Sequence, residues 1–178
     1  MKTTLAPLVG INAPPTASSP CEQLFASRIF TWANDTLYWS SVEEATNNTM
    51  QEEGFPTNNK RRFGRQITRV AIVGDVLLIY TVSGIFTLSG YSLTTFQWGQ
   101  LSRKAGLRGP HALATDGKIC VWYDVSNQVL ATDGQSISKP DLSLDIRPSI
   151  NALVHSGVSM AIYSVGKRNF IFLGNGLD

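Results

Sequence analysis

An all-β fold of repeated antiparallel hairpins is predicted by three features of the sequence. A segment shape recurs about every 40 to 48 residues, each recurrence carries hairpin turn chemistry, and no sustained helical stripe appears. The shape is clearest in "AIVGDVLLIYTVSGIFTLSG", "LATDGKICVWYDVSNQVLATDG" and "LVHSGVSMAIYSVGKRNFIFLGNG". Each copy runs from small or apolar residues through a glycine to a β-branched and aromatic run ending in tyrosine. A short polar turn, a second apolar run and another glycine follow. Gly74, Gly117 and Gly157 stand 43 and 40 residues apart, and Tyr80, Tyr123 and Tyr163 keep the same separations.

Residues 1–22 hold one lysine and a short apolar stretch interrupted by Pro7 and Gly10, with further prolines behind it. This reads as an extended N-terminal arm rather than a signal peptide. Such an arm gains order when a partner supplies the burial it lacks. Residues 23–178 are expected to form the β-repeat domain. Its first copy, "RIFTWANDTLYWSS", lacks the leading glycine, turns at Asn34-Asp35 and places Trp32 48 residues before Tyr80. The stretch "SVEEATNNTMQEEG" is polar all round and "TTFQWGQLSRKAGL" is broken by Gly99, so at most one or two short helices are expected. Ser83-Gly84, Asp116-Gly117 and Asp133-Gly134 supply the positive φ that tight hairpins need. β-rich units of this length are blade-sized, which predicts a β-propeller-like arrangement. Four copies would make either a small or incomplete ring or an open set of stacked sheets.

With 43% hydrophobic residues, 178 residues can bury one sizeable core, and the net charge of +2 is too small to announce nucleic acid. Charge distribution is more informative. Between residues 55 and 110, Lys60, Arg61, Arg62, Arg65, Arg69, Arg103, Lys104 and Arg108 face only Asp75, while Glu43, Glu44, Glu52 and Glu53 make the preceding stretch acidic. The acidic and basic segments are expected to meet across an interface between subunits or on a neighbouring protein. DNA phosphates are the other polyanion the cations would suit. Cys21 and Cys120 give no disulfide framework and read as two thiols of a reducing compartment. No apolar run approaches the roughly 20 residues of a membrane helix, and no stable membrane association is expected.

Chemistry-bearing motifs are scarce. His111 and His155 are the only histidines, and both stand at predicted turns. The aspartates of the Asp-Gly turns lack EF-hand spacing, and no nucleophile elbow, zinc-protease helix or phosphate loop is present. No catalytic residue, metal ligand or cofactor is therefore assigned, and the chain is expected not to be an enzyme. Of four tryptophans, Trp32 and Trp122 occupy matching strand positions and are expected in the core. Trp39 and Trp98 are the residues an alternative role, carbohydrate binding in a tail spike or lectin, would use.

From Phe25 to Ile150 the order of features resembles the β-propeller tail-hub or nozzle proteins of short-tailed bacteriophages, which include packaged-DNA stabilisation proteins. The resemblance rests on Arg28, Phe30 and Trp32 before "TLYWSSVEEAT", with Ser40, Glu43 and Glu44. It continues through "ITRVAIVGDVLLIYTVSGIFTLSG", the basic linker and strand "SRKAGLRGPHALATDGKICVWYD", and "VLATDGQSISKPDLSLDI". Family members are generally considerably longer. The resemblance implies a structural virion protein, made in the host bacterial cytoplasm, that forms a ring, typically six-fold, below the portal and adaptor. Such a ring retains packaged DNA, touches it transiently and forms the channel for its ejection. The inter-subunit or adaptor contacts are then expected from Lys60, Arg61, Arg62, Arg65, Arg69, Arg103, Lys104 and Arg108, with Glu43 and Glu44 opposite.

Overall fold

A computed structural model of the chain describes residues 19–20, 24–41, 55–138, 142, 147–151, 157–165 and 168–175. Among these, thirteen strands and one five-residue helix confirm the all-β expectation. The chain divides after Gly64 into two compact units, Met1–Gly64 and Arg65–Asp178, with the boundary inside the basic segment Lys60 to Arg69.

The first unit holds one antiparallel sheet in the order β1-β2-β3-β4, formed by β1 (Ser19–Pro20), β2 (Phe30–Ala33), β3 (Thr36–Trp39) and β4 (Lys60–Arg62). Ser19 and Pro20, placed by sequence in the arm, pair with Trp32 and Thr31; the rest of residues 1–22 lies outside the described residues. The β2–β3 hairpin turns where expected, with Asn34 at φ 53°, a left-handed conformation that asparagine tolerates better than most residues. Phe30 and Trp39 are cross-strand partners on one face and are buried, with ring centroids 6.1 Å apart and Phe25 edge-on to Phe30 at 5.8 Å.

The second unit carries three sheets in sequence. A four-stranded meander is formed by β5 (Ile67–Val73), β6 (Val76–Thr81), β7 (Gly84–Ser89) and β8 (Gln97–Ser102), in that order. A three-stranded meander follows from β9 (Leu113–Thr115), β10 (Cys120–Tyr123) and β11 (Val129–Thr132), which Ile137 extends by one bridge to Thr132. After the short helix α1 (Arg147–Asn151), the strands β12 (Val158–Val165) and β13 (Arg168–Asn175) pair as a hairpin over their whole length. The repeat read from the sequence is thus a succession of antiparallel meanders, and no closed propeller is formed among the described residues.

Period-2 alternation explains how the sheets stack. On β6, Leu78 and Tyr80 share one face with Ile85 of β7, while Leu77 and Ile79 share the other with Leu88 and Phe86. Leu77, Leu78, Ile79, Tyr80, Ile85 and Leu88 are all fully buried, which is why this strand reads as an unbroken apolar run rather than an alternating one. The Tyr80 face meets the next sheet. Tyr80 lies edge-on to Trp122 at 5.5 Å and donates its hydroxyl hydrogen to Cys120 Sγ at 3.2 Å. Val121, Tyr123 and Val129 form the opposite face of that sheet, in the same apolar cluster as Val158, Met160, Ile162 and Leu173 of the terminal hairpin.

The two meanders are also tied backbone to backbone. The turn glycines meet, Gly74 N–H donating to the Gly117 carbonyl at 2.7 Å, and at the other end Leu107 N–H donates to the Thr81 carbonyl at 3.2 Å. Gly106 sits so close to the β6–β7 turn that a Cβ would lie 2.5 Å from the Val82 carbonyl oxygen, so only glycine fits that approach.

Candidate interaction surfaces

The basic segment expected as one patch is divided by the fold. Lys60, Arg61 and Arg62 form the edge strand β4 of the first unit and are exposed. Arg62 Nε donates to Asp35 Oδ2 at 2.6 Å across the sheet, and this bond holds the Asp35 carboxyl below the ordinary range. The guanidinium of Arg61 stands 5.7 Å from the Phe63 ring centroid. Glu43 and Glu44 lie outside the described residues.

In the second unit the meander topology gathers cations that are far apart in sequence. An antiparallel meander puts the start of its first strand, the end of its second, the start of its third and the end of its fourth at one end of the sheet. Arg65 precedes β5 and Arg103 and Lys104 follow β8, so all three stand at the end that carries the Val82-Ser83 turn. The next meander adds Arg108 at the same end, because Gly106 N–H donates to Asp124 Oδ1 at 2.7 Å and Val125 N–H to the Gly106 carbonyl at 3.4 Å. Two of these cations are held by backbone carbonyls. Arg65 donates to the Ser83 carbonyl oxygen, and Arg108 Nη2 donates to the Val125 carbonyl at 2.9 Å and to Asn127 Oδ1. Arg108 also stands 5.8 Å from the Tyr123 ring centroid. Among the described residues the one carboxylate at this end, Asp124, is buried and spent on the backbone N–H groups of Gly106 and Ser126. Arg69, partway along β5, donates to the Pro110 carbonyl at 2.7 Å.

The opposite end carries the other sign. Asp75 follows Gly74 in the β5–β6 turn, Asp116 stands in the β9–β10 turn and Asp133 in the turn after β11; among the described residues the cations at this end are Lys118 and Arg168, the latter at the tip of the β12–β13 hairpin, whose Ser164 donates to Asp116 Oδ2 at 3.4 Å. Asp116 Oδ1 accepts from the Lys118 and Ile119 N–H groups, each at 2.8 Å; Asp133 Oδ1 accepts from Gln135 at 2.9 Å and Ser136 at 3.0 Å. Those backbone bonds keep both carboxyls below their ordinary range, so the end stays ionised. Sequence reading found the cations but not this polarity. The available signal was their position beside strand ends of the same parity.

Other sequence candidates take structural places. Trp39, one of the two residues a sugar platform needs, is 7% exposed and packs on Phe30, while Trp98 is half-buried on β8 opposite Leu88. Burial removes the Trp39 ring from any exposed rim. Trp122 is core as expected, whereas Trp32 is half-buried. His111 is exposed at a turn, where its carbonyl accepts from Met160 N–H at 2.9 Å; His155 and Cys21 lie outside the described residues. Cys120 is a buried thiol, and burial pushes its pKa up to about 12. Among the described residues no group of histidines, cysteines and carboxylates could hold a metal, and no helix is long and apolar enough to cross a membrane. No family model matches the chain, and no curated protein matches it.

Proposed function

We propose that this chain is a structural component of a bacteriophage tail or neck, a tail-hub or nozzle subunit in a ring below the portal and adaptor that retains the packaged genome and guides its ejection. The observation that carries the reading is the charge polarity of the second unit: Arg65, Arg103, Lys104 and Arg108 at one end, Asp75, Asp116 and Asp133 at the other. Subunits of a ring present different surfaces to their two neighbours, and opposite charges fix the order in which those surfaces meet. A channel that must let DNA slide needs cations without tight phosphate grips. Two of the four are tethered to their own backbone, which favours a protein neighbour over DNA.

The test is native mass spectrometry of the purified chain, alone and with the adaptor or portal ring. A discrete ring, or stoichiometric docking that Arg103→Glu with Lys104→Glu abolishes, supports the role. A chain that neither forms a ring nor docks on the adaptor overturns it.

A further inference from the structure

The least explained surface of the molecule is the outer face of the β12–β13 hairpin. Directly opposed residues of an antiparallel pair share a face. Ala161 with Phe172, Tyr163 with Phe170 and Val165 with Arg168 therefore form one face, and Met160 with Leu173 and Ile162 with Ile171 form the other. The second face packs on the core cluster through Met160, Ile162 and Leu173. The first is open: Tyr163 is 62% exposed, Val165 52%, Phe170 47% and Phe172 59%. Contiguous apolar surface of this kind marks an interaction site.

The repeat states what belongs there. Tyr80, Tyr123 and Tyr163 hold equivalent positions, and the first two are fully buried. Around Tyr80 the covering element is the facing β-sheet, through Trp122 and Cys120. The free face of the hairpin continues that series of stacked sheets, so its natural occupant is another apolar sheet face. Both faces of β6 and both faces of β10 are buried, and Phe86 and Thr87 of β7 are half-buried. The remaining face of the first unit's sheet carries a buried Thr31 and the half-buried Ala33, Thr36 and Tyr38 beside the exposed Lys60 and Arg62, so it is polar and charged. Among the described residues, the one uncovered apolar sheet face in a second copy is this same face.

We propose that the chain self-associates through a two-fold contact in which Tyr163, Val165, Phe170 and Phe172 of one copy pack against the same residues of another. Arg168 is the only charged side chain on the face and stands at the hairpin tip, so no like charges meet at its centre. The three rings, each of about 150–250 Å², leave on the order of 350 Å² open per copy at the exposures above. Two copies together would bury on the order of 700 Å² from the rings, with Val165 in addition, which lies at the weak end of specific contacts. The dimer is therefore concentration-dependent. Its four apolar residues are none of the charged-end residues on which the ring rests, and the two contacts respond oppositely to salt: screening weakens ionic contacts, while sulfate strengthens apolar burial.

Sedimentation velocity over a concentration series, in low and high sodium sulfate, tests this. The expected result is a monomer–dimer equilibrium shifted toward dimer by sulfate, abolished by Tyr163→Asp with Phe172→Asp and unchanged by Leu93→Asp, an exposed apolar control on a different turn. Circular dichroism checks that the double variant keeps its sheet; if it does not, Phe172→Ser alone should shift the dissociation constant at least tenfold. A wild-type chain that stays monomeric at every concentration overturns the proposal, and so does a dimer that survives either set of face substitutions. A larger assembly that sulfate dissolves and the face variants leave intact also overturns it, while leaving the ring reading in place.

Discussion

The β6–β7 and β12–β13 hairpins share one sequence shape and meet opposite environments. In the first, Tyr80 is fully buried with sheet on its ring; in the second, Tyr163 at the equivalent position is 62% exposed. Strand pairing does not separate them, since each is an unbroken antiparallel ladder, and β12 and β13 are the longer strands at eight residues each. The difference lies in what stacks on them. Burial in a β-repeat protein is a property of the neighbouring sheet, and the same local sequence is core or surface according to whether that neighbour is there.

The sharpest way to break the comparison is to truncate one side chain in each hairpin. Leu78→Ala should cost about 2–5 kcal/mol of unfolding free energy, because the cavity opens between two sheets. Tyr163→Ala, measured in dilute protein, should cost no more than about 0.5 kcal/mol. Urea denaturation of both variants decides it, and equal losses would mean that Tyr163 is covered in solution.

A second measurement exploits the buried pair Tyr80–Cys120. Burial raises the Cys120 thiol from an ordinary 9.0 to about 12, so its neutral form is favoured in the folded chain. The unfolded chain loses this proton near its ordinary pKa and the folded one does not. The contribution is therefore fully present below about pH 9 and fades toward pH 12, at about 1.4 kcal/mol per pH unit. Tyr80, also raised chiefly by burial, adds in the same direction above its own ordinary value of 10.0. Unfolding midpoints should fall from about pH 9 upward, and Cys120→Ala should flatten that fall; an identical slope in the variant would rule out the thiol as its cause.

The smallest effect is expected from Asp35→Asn, which removes the exposed ion pair to Arg62. Pairs of this kind are screened by water and carry little stability. Thermal unfolding should place the variant within error of the parent, and a loss like that of Leu78→Ala would show that β4 is anchored through this pair.

Much of the fold was legible in the sequence. Asn34-Asp35 and Asp116-Gly117 turn where their chemistry predicted, while the β6–β7 turn falls one residue earlier than expected, at Val82-Ser83 with Gly84 opening β7; residues 94–107 hold no helix, and residues 42–54 lie outside the described residues. The candidate surfaces were legible only as a list. Lys60 to Arg69 looked like one basic patch and is divided between two units, while Arg65 and Arg108, 43 positions apart, stand at the same end of one. Trp39 looked available for a ligand and is packed on Phe30.

What the sequence by itself determined is whatever a few consecutive residues can encode: backbone dihedrals at turns, the alternation of strands and the repeat that links them. Which face of each strand is covered, and which charges share an end, was decided only by tertiary structure. Those properties depend on the parity of strands within a meander and on the sheet stacked against it, and both are relations between residues distant along the chain.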